Sequence, residues 1–448
     1  MAKPLDIIIL AAGRGSRLRA ETPKPLLPLA GEPLLAHVLS AAAALRPRRI
    51  VIVVSADSQA VQETAREKFA KVEFAVQKTP RGTGDAARCG AAVLNDNGTA
   101  LILCADAPLL EKSVLRKLAN AATKTPALLT FIAKNPRGYG RVLRENKHIT
   151  AVVEDKDASA KQKQIDEVFA GALAAPCNWL KRAVRRLRAN NKAGELYLTE
   201  LAELADRDKL PAAAITAEET EATGINTLQD LAVAETYLRQ RRAAALMTQG
   251  VGIVDPARID LRGHVRAGRG TMLDVNVVLE NTTLARNVAV GAHCVIADCT
   301  ISEGARILPF CHLEGATIGA ECVIGPYARV RAPTTIGRGA RIGNFVELKN
   351  ANIGAGTKAG HLSYLGDVNT GEHANIGAGV ITCNYDGRKK HKTDIGAEAF
   401  IGSDSQLIAP VRVGQGAYIA AGTTLTKDAP PGELTWSRTL QTSRRRRK

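Results

Sequence analysis

Aromatic side chains are scarce in this chain. They make up 4% of its 448 residues, although hydrophobic residues reach 45% and there are 39 glycines. A protein so poor in rings builds its interior from aliphatic residues, and thin, repetitive packing of the solenoid kind suits that composition. The same scarcity argues against a nucleic-acid binder, which wants aromatics interleaved with its basic residues. No stretch reaches the roughly 18 apolar residues that span a bilayer, so no membrane insertion is expected. The short apolar run Ile7 to Ala12 leads into glycines rather than a signal-peptide cleavage site, and a soluble cytoplasmic protein is the expectation. The eight cysteines form no C-x-x-C pair. That argues against a metal-thiolate site and leaves reduced thiols as the simplest reading.

Positive charge is present in excess: 61 Lys and Arg stand against 44 Asp and Glu, a net charge of +17. With nucleic acid and membrane disfavoured, small anionic substrates such as phosphates are the partners this charge fits. The terminal run Arg444 to Lys448 reads as a solvated tail. Domains cluster near roughly 100 to 200 residues, so the length predicts two or three of them. From Asp6 to about Gly224, short β-branched runs such as DIIIL, RIVIVVS and TALILCADA alternate with Ala/Leu-rich helical stretches. That βαβ series predicts a mainly parallel sheet with helices on both faces. Near Thr227 the segment LQDLAVAETYLRQRRAAALM carries helical spacing and reads as a linker helix.

Beyond about Val251 the pattern changes to an aliphatic-Gly pair every six residues: Ile318-Gly319, Ile324-Gly325, Ile336-Gly337 and Ile342-Gly343, restarting at Ile395-Gly396 and Ile401-Gly402. Each aliphatic residue points into a coil, each small residue permits a tight corner, and three hexads close one turn of a parallel β-helix. Two stretches, Gly360 to Asp367 and Cys383 to Lys392, break the repeat. Insertions in solenoids tend to lie on the functional face, so chemistry is expected there.

In the first half, strand DIIIL runs straight into LAAGRGSRL and TPKPLLPL. Gly13 and Gly15 let backbone N–H groups approach phosphates, and Arg17 and Lys24 supply the cations a polyphosphate needs. L-A-A-G-x-G-S-R followed by P-K-P-L resembles the sugar-1-phosphate nucleotidyltransferase family. The segments QKTPRGTGDA, CADAPL, GYGR, VVEDKDA and TGIN match in order. With the hexads, the chain is similar over nearly every segment to the bifunctional N-acetylglucosamine-1-phosphate uridyltransferase/glucosamine-1-phosphate acetyltransferase family.

The resemblance implies an α/β Rossmann-like nucleotidyltransferase domain over 1–226, a linker helix over 227–249, and an all-β left-handed parallel β-helix acetyltransferase domain over 250–448. It implies Mg²⁺ held by Asp106 and Asn226, a hard ion suited to oxygen ligands. Arg17 and Lys24 would stabilise the leaving pyrophosphate. Ala11, Gly13, Lys24, Gln77, Gly82, Thr83, Gly140, Glu154, Phe169 and Asn226 fall at UTP- and sugar-contact positions. In the β-helix it implies His361 as catalytic base, with Arg331, Lys349, Tyr364, Asn375 and Lys390 around glucosamine-1-phosphate. Ala378, Asn384, Tyr385, Ser403, Ala421 and Arg438 correspond to acetyl-CoA contacts. A homotrimer is implied by analogy.

Two positions depart from the family wording. Phe169, in Glu167-Val168-Phe169-Ala170-Gly171, replaces the expected acceptor-binding asparagine, and Ala105 replaces a glycine before Asp106. Both predict an altered or weakened acceptor preference in the first site. Two rival readings are a nucleotidyltransferase for another sugar with an oligomerising β-helix, and a non-catalytic subunit of the same folds. His361, Asn384 and Lys349 argue against the first, since a purely structural solenoid has no need of them, and Lys24, Asp106 and Asn226 argue against the second.

Overall fold

The computed structural model describes residues 4–13, 22–146, 148–438 and 441–444. The chain divides by its internal contacts into two units, Met1–Leu238 and Arg239–Lys448. The division falls inside the helix Leu228–Thr248.

The first unit is built on a sheet in whose interior strand Leu5–Leu10 lies, paired in parallel with Arg49–Ser55 on one side and Thr99–Cys104 on the other. Successive residues of an extended strand point to opposite faces, and the central strands bury both. Ile7, Ile9, Ile52 and Leu101 pack in one cluster with the helices Leu34–Ala43 and Lys112–Ala121. Ile8, Val51, Val53 and Ile102 pack in the other with Thr83–Ala91. Helices on both faces follow from that alternation. The sheet differs from the expectation in one respect: Glu167–Pro176 runs antiparallel to both Thr99–Cys104 and Ala127–Ile132, so the sheet is mixed.

The second unit is a left-handed parallel β-helix whose three faces are sheets of 11, 10 and 9 strands, every pairing parallel. Columns of one aliphatic residue per coil fill its interior. Leu279, Ile296, Leu313, Val330, Leu348 and Leu365 form one such column, all essentially inaccessible. Its strands are two or three residues long, except Arg341–Asn344 and Lys358–His361, which run to four and pair with each other. Corners on this edge turn through left-handed residues: Phe345 (φ 56°), Leu362 (φ 48°), Gly379 (φ 77°), Asp404 (φ 58°) and Gly422 (φ 71°). The residue just before each corner therefore sits at the rim of the solenoid.

Candidate active sites

The C-terminal ends of Leu5–Leu10, Glu73–Gln77 and Thr99–Cys104 open into a cleft of about 510 Å³. Ligands of open α/β sheets bind at this end. The walls include Ala11, Gly13, Lys24, Gln77, Gly82, Thr83, Ala105, Asp106 and Asn226. Residues far apart in sequence thus meet in one place. Arg17 lies outside the described residues.

Gly82 is required where it stands. Its φ is 101°, and a Cβ there would lie 2.5 Å from the carbonyl oxygen of Leu196. The loop closes on the segment around Leu196: the Leu198 amide donates to Thr83 Oγ1 at 3.1 Å and the Gly84 amide to Leu196 O at 2.8 Å. That segment also brings Glu195 to the cleft wall, a residue the motif reading did not include. Gln77 is buried and its amide donates to Asp85 Oδ2 at 2.9 Å and to Gly82 O at 3.2 Å, bracing the same loop.

Lys24 Nζ lies 2.5 Å from Asp106 Oδ2 and 3.1 Å from Asn226 Oδ1. The ammonium therefore sits between two hard oxygens, where a cation is already accommodated. Asn226 is held by a reciprocal cap at the start of the helix Leu228–Thr248. Asp230 Oδ2 accepts from the Asn226 and Thr227 amides at 2.9 and 2.8 Å, and Thr227 Oγ1 accepts from the Asp230 amide at 3.1 Å. One carboxylate and one amide oxygen, with room for waters, suit an ion such as Mg²⁺ that keeps much of its hydration shell. Among the described residues no group of three or more His, Cys, Asp or Glu side chains is placed to hold a metal ion, so an ion here would rest on Asp106 and Asn226 with water completing its shell.

Gly140, Glu154 and Phe169 do not line this cleft. Gly140 and Glu154 are neighbours of one another, and Glu154 Oε1 accepts from Thr199 Oγ1 at 2.9 Å. The Phe169 side chain is 7% exposed and belongs to the buried cluster that also holds Val142, Val152 and Leu173 together with Leu10 and Ala86 of the cleft wall. Phe169 stands opposite Thr130 in the strand pairing.

Burial pushes the Glu154 carboxyl above its ordinary value of 4.5. A carboxyl raised in the folded state loses stability as pH climbs from the unfolded value through the folded one. Glu154→Gln keeps an acceptor for Thr199 and removes the charge. It is expected to melt higher than the wild type at pH 8, with the gain vanishing at about pH 3, below the unfolded value, where both states carry a neutral group. Calorimetric scans at the two pH values check this, and an equal gain at both would assign the effect to packing instead.

In the β-helix, the register Ile342↔Ala359↔Ile376↔Ile401↔Ile419 runs down one edge. Two residues further along each coil stand Asn344, His361, Ala378, Ser403 and Ala421. They form a single column, each just before a left-handed corner. Coils are spaced by about 4.8 Å, so His361 to Ala421 spans roughly 14 Å. The 17-, 25- and 18-residue gaps from His361 to Ala421 disguise this alignment in the sequence, because the insertion Cys383 to Lys392 lengthens one coil.

Around the corner from His361, Arg331 and Lys349 are register partners on adjacent coils, with Gly366 on the next. The Lys349 ammonium is held below its ordinary value by Lys390 and then Arg331, so three cations converge on this face. At Gly366 a Cβ would meet Tyr364 Oη at 2.5 Å and Asn384 Nδ2 at 2.8 Å, which shows how closely those polar groups gather. Asn384 donates to Asp367 Oδ2, and Thr382 Oγ1 accepts from the Gly366 amide at 2.7 Å. Asp367 and Thr382 are supports the motif reading passed over.

The insertion that carries Lys390 is ordered by its own bonds. Asp386 accepts from the Lys389 and Arg388 amides and pairs with His391 at 2.7 Å. The Lys389 amide, His391 and the Arg388 amide lower the Asp386 carboxyl to about 2. Tyr385 is exposed, its hydroxyl donating to Gly387 O at 2.7 Å. Asn375 lies on the strand Asn375–Ile376 beside Lys358, and Arg438 is exposed near the end of the described chain.

Comparison with known proteins agrees with this architecture. The family described as MobA-like NTP transferase domain matches residues 7–207. Bacterial transferase hexapeptide (six repeats) matches 298–332 and 315–350, and hexapeptide repeat of succinyl-transferase matches 392–427. A "Bifunctional protein GlmU" of Ralstonia nicotianae is 47% identical over 443 residues, covering 98% of this chain and 97% of the relative. One from an Azoarcus species is 45% identical, covering 98% of each. The chain belongs to the GlmU family. That is the bifunctional uridyltransferase and acetyltransferase family to which the motifs of both halves point, so the chain is an enzyme with two transferase activities in UDP-N-acetylglucosamine synthesis. Among the described residues no helix is long and apolar enough to cross a membrane.

Proposed function

We propose that the β-helix edge carries acetyl transfer from acetyl-CoA to glucosamine-1-phosphate, and the N-terminal cleft carries uridylyl transfer from UTP to the N-acetylglucosamine-1-phosphate so formed. The observation that carries the first assignment is the single column holding His361 with Ala378, Ser403 and Ala421. In this reading acetyl-CoA lies along the column with its thioester at His361, and Asn384, Tyr385 and Arg438 contact the rest of the cofactor. Arg331, Lys349 and Lys390 hold the sugar phosphate, with Tyr364 and Asn375 around the sugar. The amine attacks the thioester carbonyl while His361 accepts its proton. The C–N bond forms, the C–S bond breaks, and the proton passes on to the leaving thiolate.

In the cleft, a phosphate oxygen of the sugar attacks the α-phosphorus of UTP and pyrophosphate leaves. No protein nucleophile is needed; positioning and charge neutralisation suffice. Backbone at Ala11 and Gly13 and the loop of Gly82 and Thr83 cradle the nucleotide, and Gln77 lies in the same wall. Asp106 and Asn226 would hold Mg²⁺, which supplies charge neutralisation on the phosphates when bound. Lys24 then turns from those oxygens to the leaving pyrophosphate. Arg17 serves the same leaving group, and Gly140 and Glu154 the sugar. The domains in this reading are 1–226, a linker helix over 227–249 and 250–448, assembled as a cytoplasmic homotrimer.

Two assays on the wild-type enzyme test the assignment. Thiol should be released from acetyl-CoA only with glucosamine-1-phosphate. Pyrophosphate should be released from UTP with N-acetylglucosamine-1-phosphate and Mg²⁺ in preference to glucose-1-phosphate. Preference for glucose-1-phosphate would overturn the second assignment and leave the first intact.

A further inference from the structure

We propose that Asn344 is a positioning residue for acetyl transfer, fixing the tautomer of His361 and so which ring nitrogen takes the proton. The inference rests on the reading of His361 as the base. Asn344 Oδ1 lies 2.7 Å from His361 Nδ1. An amide oxygen only accepts, so the hydrogen is on Nδ1 and the lone pair is left on Nε2. His361 is exposed, and a solvated imidazole with no partner exchanges between its two neutral tautomers, with the Nε2–H form prevailing. Asn344 makes the other form the resident one.

The surrounding backbone is built to hold this pair. Asn344 and His361 are direct register partners at the ends of the two four-residue strands, the longest in the solenoid among the described residues. Immediately before them, a Cβ on Gly343 would lie 1.8 Å from the carbonyl oxygen of Gly360. A side chain there would collide with the neighbouring coil, so glycine is what fits just before the pair. The Leu362 amide donates to Asn344 O at 3.0 Å, tying the far side of the corner to the same residue. Asn344 is thus held twice, by backbone and by side chain, against the segment that carries the base.

The proton path follows. The attacking amine gives its proton to Nε2, and the imidazolium so formed keeps donating Nδ1–H to the Asn344 carbonyl oxygen. The proton then leaves from Nε2 to the thiolate of CoA, restoring the starting tautomer. The amide dipole orients and supports the imidazolium without adding a fixed charge beside it.

The test compares Asn344→Leu, which keeps the size but removes the acceptor, with Asn344→Asp, which keeps an acceptor oxygen. In the acetyl-transfer assay of the full-length enzyme, Asn344→Leu should lose roughly 10- to 100-fold in kcat, with both KM values within about two-fold of wild type. Asn344→Asp should recover most of it, and pyrophosphate release should be unchanged in both. Nitrogen-15 spectra of histidine-labelled enzyme, assigned with His361→Gln, should show an Nδ1–H neutral ring in the wild type. An Nε2–H ring in the wild type, a kcat for Asn344→Leu within two-fold, or equal defects in the two variants would overturn the inference. If His361→Gln itself retains activity, the base reading fails, and that result is distinguishable from a failure at Asn344 alone.

Discussion

Phe169→Asn, which restores the residue usual in the family motif, is expected to destabilise the N-terminal unit rather than improve its chemistry. The ring is 7% exposed and lies in the cluster with Val142, Val152 and Leu173. Its strand neighbour Thr130 is fully buried. Truncating a buried phenylalanine costs about 3 to 5 kcal/mol through lost transfer energy and the cavity left behind. A buried amide without partners adds about 1 to 3 kcal/mol. Against a total stability of roughly 5 to 15 kcal/mol, that sum removes much or all of the margin. Calorimetry should show the first unit melting well below wild type, with pyrophosphate release lost on mild warming and acetyl transfer persisting. Phe169→Leu, which keeps an apolar body, should retain most of both. A Phe169→Asn enzyme that melts like the wild type and binds acceptor sugar more tightly would mean the position faces substrate.

The contrast at Phe169 shows what sequence carries and what it omits. Motif matching identifies which segments form the first cleft, and Gly13, Lys24, Gln77, Asp106 and Asn226 meet there. It does not say which way a side chain points from a strand. That depends on register, and the pairing of this strand with Ala127–Ile132 changes register between Phe169 and Leu173, which no motif announces. Strand direction was similarly hidden, since alternating aliphatic residues look alike in parallel and antiparallel neighbours, so Glu167–Pro176 gave no sign of running against its partners. Glu195 reached the cleft through a loop with no motif of its own.

In the second unit the hexad period made the architecture legible almost residue by residue, because the buried columns repeat aliphatic residues at a fixed spacing. The functional column was legible only in part. Its members are small or polar, follow no single residue type, and are separated by coils of unequal length. Asn344 carries no signal in one dimension: its importance comes from a partner 17 residues away that is adjacent only once the coils stack.

The two sites are built from residues of different units, so each activity is expected to be removable alone. His361→Ala removes the proposed base, and general bases of this kind contribute about 10² to 10⁴ in rate. Thiol release dependent on glucosamine-1-phosphate should fall by that factor, while pyrophosphate release from UTP stays at the wild-type level. Asp106→Ala removes the carboxylate that Lys24 holds at 2.5 Å and leaves that ammonium without its ion-pair partner. Loss of a preorganised charge at a phosphoryl site is worth roughly 10² to 10³ in kcat. Pyrophosphate release should fall accordingly and raising Mg²⁺ should not restore it, while acetyl transfer is untouched. Mixing the two purified variants with glucosamine-1-phosphate, acetyl-CoA and UTP should restore UDP-N-acetylglucosamine formation, because N-acetylglucosamine-1-phosphate made at Asp106→Ala sites is free to diffuse to the clefts of His361→Ala enzyme. A variant defective in both activities would mean that the substitution acted on folding, and failure of the mixture with each single activity intact would mean that the intermediate does not leave the enzyme that makes it.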